Sequence, residues 1–373
     1  MTWGEWLSVL AVLTALVALG LALHGRSLVL ALPHHGAPAH PAAAETAAGP
    51  SDRPLVAFVA NPTKPGVTEL RDAAVRACSA RYLPEPMWLE TTESDPGVGQ
   101  ARGAVADGAR VVVAVGGDGT VRAVAEGLVG TGASMGLVPQ GTGNLLARNL
   151  DLPLGDVEAL LRVALTGTDR PIDVGWLTVD RVATPEADDT GAGPATAGSE
   201  HLFLVIAGLG FDAAMVADAD EQLKARVGWI AYFVAGVRHL HSRRMRLDVA
   251  LDDGPWQTLR LRSLLVGNCG RLPGGITLLP DAVLDDGWLD VAAIDTRGGV
   301  FGWTQLFGEV AMQRFGVRAD LPNKIGTIDH ARARTARVRT RDPQQVQVDG
   351  DIVGAALEVS TRVDPLALTV RVP

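Results

Sequence analysis

The chain has 373 residues, a formal net charge of −9, and 47% apolar against 20% charged residues. That balance excludes a disordered or fibrous protein, and the charge excludes a chain built to coat nucleic acid. Two cysteines, Cys78 and Cys269, lie far apart without CxxC spacing, which excludes a disulfide scaffold and a cysteine zinc centre and fits a reducing compartment.

The length corresponds to about two domains, and the mean hydropathy of +0.18 calls for one concentrated apolar segment. Leu7 to Leu23 is that segment, an uncharged run flanked by Trp3 and Trp6. It is just long enough as a helix to cross a hydrocarbon core of about 30 Å. A buried core helix is disfavoured by the Pro/Ala/His tract that follows, and a cleaved signal peptide by Glu5 and the lack of Lys or Arg before the run. The reading is one transmembrane helix, a retained anchor over residues 1–32. Arg26 on its carboxyl side places the remainder in the cytoplasm. Residues 33–54 read as a Pro/Ala-rich linker, with His34, His35 and His40 as solvated tether residues.

From residue 55 the pattern alternates. Apolar runs at 55–60, 110–115 and 135–139 read as strands, and helical spacing covers 69–80, 121–129, 145–150 and 156–165. Strands with continuous apolar runs, alternating with helices, predict a doubly wound α/β domain over 55–171. From Ile172 strand-like runs dominate, at 172–179, 201–210, 246–251, 258–268, 288–294, 337–341, 346–350 and 366–372. Two helices are predicted at about 216–241 and 300–315, and residues 183–200 read as a polar insertion without site chemistry. The second domain, 172–362, is therefore β-rich.

The chemistry concentrates where the strand at 110–115 runs into Gly116-Gly117-Asp118-Gly119-Thr120 and a helix follows. Glycines let backbone amides approach an anion, and the helix amino terminus adds positive potential, at the end of a parallel sheet where ligands bind. The Asp118 carboxylate repels bare phosphate, so Mg²⁺ or metal-bound water is expected between them. A second loop, Pro139-Gln140-Gly141-Thr142-Gly143-Asn144, follows the next strand. Neither loop is a Walker A or a dinucleotide GxGxxG sequence.

These loops, with NPTKPG upstream and PDAVLDDGWLDV and VDGD downstream, resemble the bacterial diacylglycerol kinase/lipid kinase family, which shares its GGDG loop with NAD kinases. The resemblance covers residues 55–373. It implies an ATP-binding α/β domain, a sandwich-like second domain, a site between them, and a final strand over 363–373 that returns to the first domain. It implies ATP and Mg²⁺ and a lipid hydroxyl as acceptor, and ATP as donor supports a cytoplasmic catalytic face, which with the anchor at residues 1–32 gives a cell-membrane protein. Gly116, Gly117, Asp118, Gly119, Thr120, Val121 and Arg122 then contact the nucleotide phosphates, as does Thr142, which alternatively caps a helix. Thr92, beside Thr91, falls where the family contacts nucleotide after its second strand. Asn61 caps its turn or faces the nucleotide. Asp349 falls at the general base. Asp351 stands where the family usually has Glu, one methylene shorter. Asp286 falls in the family's structural metal loop, with the carbonyls of Val283 and Trp288 beside it. Asn268 and Gly274-Gly275 lie on cleft loops, and Asp212 faces the site or caps a turn.

Two stretches, Gln222 to Arg246 and Ala331 to Arg341, carry arginines without acids. They predict either contact with an anionic membrane surface or an ordinary solvated face. The reading as a whole is an ATP-dependent lipid kinase, most simply converting diacylglycerol to phosphatidic acid. An NAD kinase-like enzyme and a non-catalytic lipid or nucleotide binder are the rivals. No nucleic-acid partner is expected, and no motif specifies an oligomeric state.

Overall fold

The computed structural model describes residues 55–182, 195–210, 244–271, 277–296 and 326–373. The anchor and linker predicted over 1–54, most of the insertion at 183–200, the helices predicted at 216–241 and 300–315, Asp212 and Gly274-Gly275 lie outside them.

Continuous apolar runs form the centre of the first lobe. Strands β1 (Leu55–Ala60), β2 (Met87–Glu90), β3 (Ala109–Gly116) and β4 (Ser134–Pro139) pair in parallel in the order β2-β1-β3-β4. Val56–Ala60 and Val111–Gly116 are buried throughout, as expected for strands covered on both faces. Helices α1 (Val67–Ser79), α2 (Val98–Ala106), α3 (Asp118–Leu128), α4 (Leu145–Asn149) and α5 (Val157–Thr166) connect the strands. In α1 the buried stripe Val67, Leu70, Ala74 and Cys78 follows the helical period, and in α5 the Asp156 carboxylate caps the amino end by accepting from Ala159 N–H at 2.9 Å. Strand β2 and helix α2 were not singled out from the sequence.

The expectation of a single-pass membrane protein is corrected here. No helix among the described residues is long and apolar enough to cross a membrane. The longest, α1, has 13 residues, about 20 Å against a hydrocarbon core of about 30 Å. The segment that carried the expectation is not among the described residues.

The second lobe is built from β5 (Thr168–Arg181), β6 (Glu200–Phe203), β7 (Ile206–Gly210), β8 (Met245–Leu251), β9 (Gln257–Leu261), β10 (Ser263–Gly267), β11 (Leu289–Thr296), β12 (Gly326–Ala333), β13 (Thr335–Val348) and β14 (Asp351–Val372). One layer runs β12-β11-β10-β7-β13 and the other β9-β8-β13-β14-β5-β6. Strand β13 changes partner along its length, pairing with β8 over Ala336–Thr340 and with β7 over Val346–Val348. Leu177, Phe203, Leu247, Leu264, Val291, Val338 and Val359 from both layers share one buried core. At its far end β14 crosses lobes, where Thr369 and Val370 pair in parallel with Ser134 and Met135 of β4.

Asp173 pins the junction. It is fully buried; its Oδ1 accepts from Leu366 N–H at 2.8 Å and its Oδ2 from Gly287 N–H at 2.6 Å. Its own N–H donates to the Leu284 carbonyl at 2.6 Å. Asp173→Ala leaves two amides without partners and is expected to cost about 3 kcal/mol or more in urea denaturation. Asp285→Ala, removing an exposed ion pair with Arg170, costs under about 1 kcal/mol. Equal losses would contradict this role for Asp173.

Candidate active site

The two glycine loops leave the carboxyl ends of neighbouring strands. Gln140 N–H donates to the Gly116 carbonyl at 2.7 Å, tying one loop to the other. A Cβ on Gly141 would stand 2.9 Å from the Gly117 Cα, and one on Gly143 2.7 Å from Asp118 Oδ2, so neither position admits a side chain without displacement. Asn144 takes the left-handed conformation (φ 49°) and accepts from Gly141 N–H through Oδ1 at 2.9 Å.

Asp118 bridges the loops. Its Oδ2 accepts from Asn144 N–H at 2.9 Å and its Oδ1 from Leu145 N–H at 2.6 Å, capping α4 from a distance. The carboxylate thus ties the second loop to the first. Burial raises its pKa to about 6; the nearby charges of Asp349 and Asp351 add to the rise and the two amides oppose it.

Asp349 lies in the turn between β13 and β14, itself left-handed at φ 48°. The turn places its carboxylate beneath the break between β6 and β7. Oδ1 accepts from Val205 and Ile206 N–H, both at 2.9 Å, and Oδ2 from Leu204 N–H at 2.8 Å. Oδ1 therefore has both lone pairs engaged, while Oδ2 keeps one with no partner among the described residues. Burial pushes this carboxyl above its ordinary range, against the Arg122 charge and the three amides. Asn268, fully buried, braces the same strand break by donating from Nδ2 to the carbonyls of Leu204 (3.3 Å) and Asp173 (2.8 Å).

The remaining predicted residues fall differently. Val121 is buried in the core of the first lobe, and the Thr120 side chain packs back against Gly116. Asn61 caps its turn, Oδ1 accepting from Thr63 N–H (3.0 Å) and Thr63 Oγ1 (2.8 Å). Thr92 Oγ1 accepts from Asp95 N–H at 3.0 Å in a local turn, and Thr91 beside it is buried. Thr142 is exposed at the tip of its loop, where Asn144, not Thr142, is the residue at the amino end of α4. Lys64, which the sequence reading passed over, places its Cε 4.0 Å from the Cβ position of Gly117, and no carboxylate among the described residues pairs with it. Asp173 was also missed. A single carboxylate inside the apolar run IDVGWLTV was the signal for it.

In the loop expected to hold a metal ion, the Asp286 side chain is engaged by protein partners. Asp286 accepts from Trp288 N–H through Oδ1 at 3.1 Å, and its Oδ2 is ion-paired with Arg332. Arg332 and Arg334 stand over the Trp288 ring, at 5.8 and 4.9 Å from its centroid. No group of three metal-ligating side chains occurs among the described residues. Val283 is exposed. The arginines of the second basic stretch also meet acids from other strands, Arg339 pairing with Glu358 at 2.7 Å. Chelation with EDTA is therefore expected to leave the melting temperature unchanged. A fall that Mg²⁺ reverses would place a metal ion at Asp286 instead.

Comparison with known proteins agrees with this architecture. The diacylglycerol kinase catalytic domain matches residues 56–177, and the YegS C-terminal NAD kinase beta sandwich-like domain matches residues 205–372. A protein of Pseudomonas aeruginosa named probable lipid kinase YegS-like is 33% identical over 278 residues, 72% of this chain and 79% of that protein. One of the same name from Xanthomonas euvesicatoria is 34% identical over 235 residues, 59% of this chain and 69% of that protein. A crystal structure of a diacylglycerol kinase from Bacillus anthracis superposes with a TM-score of 0.63 at 20% identity, covering 86% of this chain and 97% of that one, which shows a shared fold. The chain belongs to the YegS-like lipid kinase family, built on the diacylglycerol kinase catalytic domain.

Proposed function

We propose that this kinase transfers the γ-phosphoryl group of MgATP to the hydroxyl of a neutral lipid, diacylglycerol in the simplest case, with Asp349 as general base. The acceptor oxygen attacks the γ-phosphorus, the bond to the β-phosphate oxygen breaks, ADP leaves with that electron pair, and the hydroxyl proton passes to Asp349. The observation that carries the reading is the Asp349 carboxylate: buried, held by three amides, and left with one open lone pair on Oδ2.

The supporting geometry surrounds it. The paired glycine loops bring backbone close together without side chains, and the half-buried Lys64 beside Gly117 supplies a cation suited to phosphate. Burial of the base raises its proton affinity toward neutral pH, where a general base works best. A cavity of about 400 Å³ is lined by Asn149, Asp151, Arg170, Cys269 and Arg271. The Cys269 thiol on its wall is raised by burial first and then by the Asp349 charge. Its arginines are each paired with an aspartate, Arg170 with Asp285 and Arg271 with Asp151. Such a wall offers hydrogen bonds with little net charge, suiting an uncharged hydroxylated headgroup over an anionic one.

Asp349→Asn is expected to lower kcat by about 10²–10⁴-fold in an assay of labelled ATP with diacylglycerol in mixed micelles. MgATP binding, measured by calorimetry, should stay within a few-fold. A variant retaining kcat within tenfold of the parent would remove Asp349 from the role of base. Labelling of a total lipid extract identifies the acceptor directly, and a phosphorylated product other than phosphatidic acid would replace diacylglycerol in this reading.

A further inference from the structure

The residue with the most unexpected placement is Arg122. It sits in the second turn of α3, just after the first glycine loop, where a guanidinium facing the nucleotide is the simple expectation. It faces the other lobe instead. One terminal nitrogen donates to the Val348 carbonyl at 2.6 Å, and the other to Asp351 Oδ2 at 2.7 Å. These acceptors flank Asp349 on either side, so one rigid, planar group spans the turn that carries the base.

That turn needs support. Asp349 and Gly350 are both left-handed, at φ 48° and 92°, and a non-glycine residue in that region costs about 1 kcal/mol. Inside the second lobe the turn is tied by Asp349 N–H to the Ile206 carbonyl and by Gly350 N–H to Gln347 Oε1, both at 2.8 Å. Arg122 is its tie to the nucleotide-loop helix, with the side chain only 21% exposed. Gly119, on the same helix, stands where a Cβ would come within 3.4 Å of Asp351 Oδ2, so α3 and the turn are in close register.

We propose that Arg122 is a positioning residue of the catalytic turn, stapling Val348 and Asp351 across Asp349 and so setting the base against the nucleotide loops. This rests on the reading of Asp349 as base. The same guanidinium has an electrostatic consequence. It is the largest influence opposing the burial-driven rise of the Asp349 pKa. The other groups around the turn are Asp118 on α3, Asp351 on β14, Cys269 after β10, and His201 on β6, whose pKa is lowered by burial first and then by Arg122. Removing the guanidinium therefore moves the protonation of Asp349 to higher pH, and activity is lost earlier as the pH falls.

The test compares Arg122→Gln, Arg122→Lys and Asp351→Asn with the parent chain by kcat against pH at saturating MgATP, alongside MgATP affinity by calorimetry. Arg122→Gln should lower kcat about 10- to 100-fold, shift the acidic limb to higher pH, and leave MgATP affinity within about twofold. Arg122→Lys keeps the charge but loses the span, so kcat should fall while the acidic limb stays near its original pH. Asp351→Asn should lower kcat with affinity unchanged, and it serves where the Arg122 variants fold poorly. A tenfold or greater loss of MgATP affinity in Arg122→Gln, with kcat at saturation and the acidic limb unchanged, would overturn the proposal and make Arg122 a phosphate contact. Failure of the base itself reads out separately, as activity retained in Asp349→Asn.

Discussion

A carboxylate buried against three consecutive backbone amides is the constraint around which this enzyme is arranged. Ionised, Asp349 is costly to remove from water, and Leu204, Val205 and Ile206 offset that cost only if the strand breaks so that three successive N–H groups turn the same way. The break leaves carbonyls in need of donors, and Asn268 serves the one on Leu204. Asn268 also holds the Asp173 carbonyl, and the Asp173 carboxylate takes the amides of Gly287 and Leu366. A continuous polar chain thus runs from Asp349 to the PDAVLDDGWLD loop and to the point where β14 leaves the second lobe. Its members are satisfied at these atoms, and the gap in it is the buried Asn268 Oδ1, which has no hydrogen-bond partner among the described residues.

The two lobes meet through this chain and through α3. The first lobe contributes glycine loops whose backbones touch, closed by Asp118, and the second contributes the turn with Asp349. Strand β14 joins them covalently, running from the catalytic turn at Asp351 to its pairing with β4. Asp349 and the two glycine loops are therefore set by one strand, one helix and one guanidinium. Three aspartates, at 118, 349 and 351, are close enough for the charges of the last two to raise the first.

What was legible in the sequence was local. The loops at 116–120 and 139–144 announced themselves because close backbone approach demands glycine at fixed positions, and the parallel strands because burial on both faces demands unbroken apolar runs. What was not legible depended on distant partners. HLFLVIAGLG reads as one strand, yet it breaks at Leu204–Val205 for a carboxylate about 145 residues away in sequence. The partners of Arg122, Val348 and Asp351, could not be read locally because they lie more than 220 residues downstream. The Arg332 partner of Asp286 was not legible because it comes from a neighbouring strand. The stretch from Ala331 to Arg341 looked acid-free for the same reason. Its acids, Asp286 and Glu358, come from other segments.

The central claim is that Asp349 is a buried carboxyl with raised proton affinity that must be ionised for turnover. Carbon NMR of the enzyme labelled at its aspartate carboxyls, titrated beside a kcat–pH profile, tests it most directly. The account predicts one resonance, absent from Asp349→Asn, that titrates above the ordinary aspartate range and coincides with the acidic limb of kcat. A resonance titrating in the ordinary range, or an acidic limb at an unrelated pH, would contradict it.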